Sequence, residues 1–147
     1  VIGKKEYFDT LKAYTRSHRL KVDNNKVVSW LDESINPDTG IWMKVGPFPK
    51  TRGRDYNHST YCDLIITDLA GLRPRADDLV EVNPLVPDGA LDYFCLDNVS
   101  YHGRSLTILW DKTGTRYNRG AGLRVLVDGK EIAHSDTLKR VTGKLNR

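Results

Sequence analysis

The spacing of apolar positions changes character once along the chain. Up to about residue 70 it is helical, with three- and four-residue intervals broken by loops, and beyond that apolar and polar residues alternate as in strands. The change falls within the stretch Tyr56–Tyr101. Asn57, Ser59 or Thr60 can cap a helix there through a side-chain oxygen. Asp63 then stands in the first turn, where the helix dipole favours a negative charge. Tyr61, Leu64, Ile65, Asp68 and Leu69 lie on or beside one face, and Gly71 is the expected stop, with Leu72 folding back and Pro74 preventing continuation. Leu79, Val80, Val82 and Leu85, with Pro84 and Pro87, predict a strand ending in a proline-bounded turn.

Before this stretch, Lys4 to about His18 reads as an amphipathic helix, with Tyr7, Phe8, Leu11 and Tyr14 on one side and Lys5, Lys12, Arg16 and Arg19 largely on the other. A polar turn over 23–26 leads to the apolar run Val27, Val28, Trp30 and Leu31. Asn36-Pro37-Asp38-Thr39-Gly40 then makes a tight turn between Trp30 and Trp42. The segment 44–55, rich in Pro, Gly and basic residues, reads as a long exposed loop. After the stretch, Tyr93–Val99 and Ser105–Trp110 predict a hairpin turning at 101–104. Leu123, Val125 and Val127 lead into Asp128-Gly129, a strong two-residue turn signal, and Ile132 begins the return strand. With strands near Glu81 and 139–142, six or so short antiparallel strands are available, which suits a small β-sandwich. The expected fold class is α+β, with two to three N-terminal helices followed by a C-terminal antiparallel β-sandwich.

Composition narrows the class. The 147 residues suit one domain, or one small domain with an appendage, and 39% hydrophobic against 29% charged leaves a large wet surface. No run approaches the ~20 apolar residues of a membrane span. No signal-peptide pattern opens the chain, but the first residue is Val, which suggests a processed or excised piece; the compartment stays open, with secreted or periplasmic favoured. A net charge of +4 and a pI near 9.1 are mildly basic, and the cations are spread out rather than concentrated in a stripe interleaved with aromatics, which argues against a nucleic-acid partner. Cys62 and Cys95 fit no metal spacing with His18, His58, His102 or His134. They are either two buried free thiols or one disulfide of an exported parent. Asp77, Asp78 and Glu81 lack the alternating ligands of a calcium loop, and Gly114, Gly120 and Gly122 do not make a phosphate loop. No cofactor or metal is called for. Asn57-His58-Ser59 and Asn98-Val99-Ser100 match the glycosylation pattern, which matters only in a eukaryotic secretory host.

The candidate chemistry lies at Asp32 and Glu33. A carboxylate beside tryptophans, on a loop pinned by a proline turn, suits sugar-bond hydrolysis: the aromatics stack on a pyranose and the carboxylate activates water.

The order W-L-D-E-S-I-N-P-D-T-G-I-W, a loop, Y-N-H-S, G-L-R-P, V-N-P-L-V-P and Y-H-G-R-S-L-T-I, over roughly Trp30 to Gly129, resembles the C-terminal end of (α/α)6-barrel glycoside hydrolases, the six-hairpin glycosidases. The nearest likeness is to the group around mannosylglycerate hydrolase and the family 63 glucosidases. The α-L-rhamnosidases and family 65 phosphorylases are more distant members of the same architecture. The resemblance implies that Glu33 is the general base of an inverting mechanism, that Trp30 and Trp42 flank the sugar, and that Tyr56, Asn57 and His58 stand near the substrate cleft. It further implies a division into residues 1–73, the end of a barrel, and 74–147, the β-sandwich. The partners it implies are a carbohydrate and the remainder of the parent barrel.

An inverting glycosidase also needs a general acid about 6.5–9.5 Å from the base. In this architecture that acid comes from far upstream. Asp9, Asp55 and Asp63 are poor substitutes, since their contexts place them on a helix face or at a cap. The chain is therefore expected to be inactive alone. The rival reading is a non-catalytic carbohydrate-binding or structural module. Exposed, coplanar rings among Tyr93, Tyr101, Trp110 and Tyr117 would favour it, and burial of those rings would count against it.

Overall fold

The computed structural model describes residues 2–21, 25–42 and 60–145. The chain forms two compact units, one of Asp9–Tyr61 and the other of Val1–Phe8 with Cys62–Arg147. Helix α1 (Lys4–Ser17) runs as its periodicity predicts: Tyr7, Phe8 and Leu11 are buried, and Glu6 in the first turn and Arg16 in the last complement the dipole. In the smaller unit the chain leaves α1 as β1 (Arg19–Lys21), antiparallel to β2 (Val27–Ser29), with Leu20 opposite Val28. Strand β1 has one apolar residue between two cations and carries no alternation by which to recognise it.

The second helix starts at Thr60 but is α-helical only over Thr60–Asp63 (α2), continuing as a π-helix over Leu64–Leu69. The wider turn closes through the Ala70 N–H on the Ile65 carbonyl at 2.9 Å. The Leu64 carbonyl accepts the Tyr7 hydroxyl at 2.7 Å, and the Thr67 hydroxyl donates to the Asp63 carbonyl at 2.7 Å. Side-chain donors thus meet carbonyls along the altered turn. Among the described residues these are the two helices, against the two to three expected. Gly71 ends the second at φ 84°, as a left-handed stop requires.

The β region is two antiparallel sheets. One has the order β3 (Leu72–Arg73), β4 (Leu79–Val82), β9 (Val141–Lys144); the other runs β5 (Tyr93–Tyr101), β6 (Arg104–Asp111), β7 (Gly122–Val127), β8 (Lys130–Ser135). That makes seven described strands in the β region, more than the six or so foreseen, because β3 is only two residues long, lies directly before a proline and shows no alternation. Both hairpin turns use two consecutive positive φ angles, His102-Gly103 and Asp128-Gly129, whose twist matches that of the flanking strands. Cross-strand pairing puts Leu106 opposite Val127, Ile108 opposite Val125 and Trp110 opposite Leu123, so one face of β6 and β7 is continuously apolar. Leu106, Ile108, Leu123, Val125, Val80, Val82 and Val86 are among the fully buried side chains of this core.

The loop after β6 is built on a buried carboxylate. Asp111 Oδ1 accepts the N–H groups of Thr113 (3.2 Å) and Gly114 (2.8 Å), and Oδ2 those of Arg116 (2.8 Å) and Tyr117 (3.0 Å). Burial alone would push this carboxyl up, but the four donors outweigh it and hold its pKa below the ordinary value. A depressed folded-state pKa contributes stability above the ordinary carboxylate range and loses it as pH falls through the folded value. Asp111→Asn is therefore expected to lower the urea midpoint at neutral pH, at unchanged m, and to flatten its decline in acid. Parallel pH profiles for the two proteins would contradict this.

Candidate functional site

The loop carrying Glu33 is held from several sides within the smaller unit. The Trp30 N–H donates to the His18 carbonyl at 2.9 Å, extending the β1–β2 ladder. The Trp30 indole donates to Asp32 Oδ2 at 3.3 Å, while Asp32 Oδ1 accepts the Glu33 N–H at 2.7 Å. Asp32 is thereby a fully buried carboxylate that fixes the backbone at Glu33. The following turn forms as predicted: Asn36 Oδ1 accepts the N–H groups of Asp38 (2.9 Å) and Thr39 (3.1 Å), the Gly40 N–H returns to the Asn36 carbonyl at 2.9 Å, and Ile35 bridges Trp42. The Trp42 indole donates to the Ser17 carbonyl at 2.7 Å, and its ring stacks on His18 at 6.1 Å and 13°. Both tryptophans are buried, at 2% and 4% exposure, whereas Glu33 is exposed. The arrangement presents a surface carboxylate on a braced loop. Such a group can take a proton from water once a substrate is held beside it.

Two cavities adjoin this loop. One, of about 640 Å³, is lined by Tyr14, Leu20, Ile35, Pro37, Ile41 and Trp42 among others; the second, of about 590 Å³, is lined by Thr15, His18, Arg19 and 27–31. Glu33 lines neither. Tyr56, Asn57 and His58 lie outside the described residues, as does the loop 44–55. Glu33, Trp30 and Trp42 are thus brought onto one loop, with the rings packed inward. Asp32 shares the sequence signal of Glu33, and its anchoring role is visible only once the Trp30 indole is seen to reach it.

Other sequence signals resolve into structure. Cys62 and Cys95 are free thiols, and both are exposed, not buried, because they sit on the outer sides of α2 and β5. Arg75 pairs with Asp77 at 2.7 Å and with Glu81 at 2.9 Å, and Arg140 pairs with Glu81 at 3.0 Å, so arginines occupy Asp77 and Glu81, two of the three carboxylates weighed for calcium. Hydrogen bonds to Arg75 hold Asp77 down at about 2. Arg104 pairs with Asp128 at 2.9 Å. Tyr101 and Trp110 are buried, and Tyr93 meets Tyr117 edge-on at 82°, so these four rings make no coplanar platform. Among the described residues no helix is long and apolar enough to cross a membrane.

Residues 72–134 match the family described as Glycosyl hydrolase family 65, C-terminal domain. These residues take in β3 to β8, nearly all of the sandwich. At this level the β region is similar to the C-terminal domain of glycoside hydrolases. A solved structure titled "Sialidase" is 47% identical, with a TM-score of 0.83, over 97% of this chain and 12% of its own. The chain thus spans about an eighth of the length of that protein.

Proposed function

We propose that this chain is the C-terminal part of a glycoside hydrolase acting on carbohydrate, in which residues 1–73 complete an (α/α)6 barrel and 74–147 form the accessory sandwich. The finer assignment is to the mannosylglycerate hydrolase and family 63 group, with an inverting mechanism. Glu33 is the general base that deprotonates the attacking water, and an acid from the rest of the barrel protonates the leaving oxygen. Trp30 and Trp42, buried behind the loop, brace it from below, and Tyr56, Asn57 and His58 stand near the substrate cleft.

One observation carries this reading. The helix over 60–69 holds Leu64, Ile65, Ile66 and Leu69, yet not one of its residues is buried. A helix so rich in aliphatic side chains needs a further layer of protein over it. The 12% share of the similar structure leaves ample chain to provide one. The rival, a module binding sugar on a flat aromatic platform, is disfavoured by the burial of Trp110 and Tyr101. Assay of the isolated chain against aryl glycosides tests the reading directly. No turnover is expected, since the acid is absent. Turnover by this chain that Glu33→Gln abolishes would show the site to be complete without a barrel.

A further inference from the structure

The outer face of the four-stranded sheet carries a groove that the hydrolytic reading does not use. It has a volume of about 510 Å³ and lies entirely within residues 95–129. Its apolar lining includes Leu109 and Leu126, and its polar lining includes Asp97, Thr107, Tyr117 and Arg119. Asp97 Oδ1 is occupied by the Thr107 hydroxyl at 2.5 Å, while its Oδ2 accepts nothing among the described residues. The Arg119 guanidinium has no hydrogen-bond or ion-pair partner among the described residues, whereas the arginines at 73, 75, 104, 124 and 140 are ion-paired and Arg116 lies over the Tyr93 ring. The Tyr117 hydroxyl is likewise unpartnered, and burial pushes its pKa up, so it stays a neutral donor and acceptor. The loop that carries Tyr117 is the one fixed by Asp111, which holds the Tyr117 main chain in place before any ligand arrives.

We infer that this groove is a saccharide-binding subsite separate from the Glu33 loop, with Asp97, Tyr117 and Arg119 as its contact residues. One free carboxylate oxygen and one free guanidinium balance in charge, which disfavours phosphates and other polyanions. Their acceptor and donor atoms suit adjacent hydroxyls of a sugar, which need both. An apolar floor with an aromatic beside it suits the C–H face of a pyranose. The perpendicular Tyr93–Tyr117 pair, with Arg116 4.6 Å above the Tyr93 ring, favours a short sugar seated in a groove over a long chain lying on a platform.

The inference rests on the sandwich alone and survives failure of the hydrolase reading. Titration of the 147-residue chain with methyl α-mannoside and with maltose, followed by amide chemical shifts, tests it. Saturable shifts are expected at residues 95–98, 105–109 and 117–119, with Kd in the millimolar range. Tyr117→Ala and Asp97→Asn should each raise Kd by roughly tenfold, as loss of a stacking or charged hydrogen-bonding contact does. Asp97→Asn keeps the side-chain shape and guards against a folding artefact. Absence of saturable shifts with both sugars, shifts confined to the Asn36–Trp42 turn, or affinities unmoved by either variant would each overturn the inference.

Discussion

On the proposed reading, in which Glu33 is the general base of a parent glycoside hydrolase, replacing Glu33 by glutamine in the parent protein is expected to lower kcat by about 10²–10⁴-fold while leaving KM little changed. The amide keeps the size of the side chain and its capacity to hydrogen-bond a substrate, but it cannot take a proton from water. The loss therefore appears in the transition state and not in binding. The fold should tolerate the change, because Glu33 is exposed and the bond that fixes its position, N–H to Asp32 Oδ1 at 2.7 Å, is made by the main chain. Glu33→Asp, which retains a carboxylate but retracts it, should recover part of the rate. A Glu33→Gln enzyme with wild-type kcat would remove Glu33 from the chemistry and turn attention to carboxylates elsewhere in the barrel.

The turn behind Glu33 was legible in the sequence and the packing of the tryptophans around it was not, and the difference has a physical basis. The N-P-D-T-G turn was legible because an Asn side chain closing on the next two N–H groups is local chemistry, and the structure forms it at 2.9 and 3.1 Å. The hairpins were legible for the same reason, with Gly and Asp or His taking positive φ at adjacent positions. Burial of Trp30 and Trp42 was not legible. A tryptophan beside a carboxylate reads equally as a sugar platform or as an anchor, and which it is depends on what the indole N–H meets, here Asp32 and the Ser17 carbonyl. The Asp111 cage escaped notice because its donors are backbone N–H groups, which any residue supplies. The π-helix escaped because the residues at 64–69 read equally well as α-helix, and the Tyr7 hydroxyl that meets its Leu64 carbonyl comes from 57 positions away.

Gly71→Ala should destabilise the larger unit by about 3–5 kcal/mol, combining the strain of a left-handed alanine with overlap against fixed backbone. The short motifs G-L-R-P and V-N-P-L-V-P meet here. Segment 83–85 crosses the end of the second helix: the Asn83 N–H donates to the Gly71 carbonyl at 2.7 Å and the Leu85 N–H to the Asp68 carbonyl at 2.9 Å. The crossing segment thus satisfies carbonyls that the helix terminus leaves open. It comes so near that a Cβ on Gly71 would stand 2.3 Å from both the Asn83 carbonyl carbon and the Pro84 nitrogen. Neither atom can yield, since both belong to a peptide leading into the buried Val86. Gly89 provides the control. It has φ 75° but nothing within 4 Å of an added Cβ, so Gly89→Ala carries the conformational strain without the clash and should cost only about 1 kcal/mol. Thermal or urea unfolding of the two variants separates the effects, with Gly71→Ala falling by more than ~10 °C in Tm. Equal losses would mean that the left-handed stop alone requires glycine, and that the close crossing of helix end and strand does not add to the requirement.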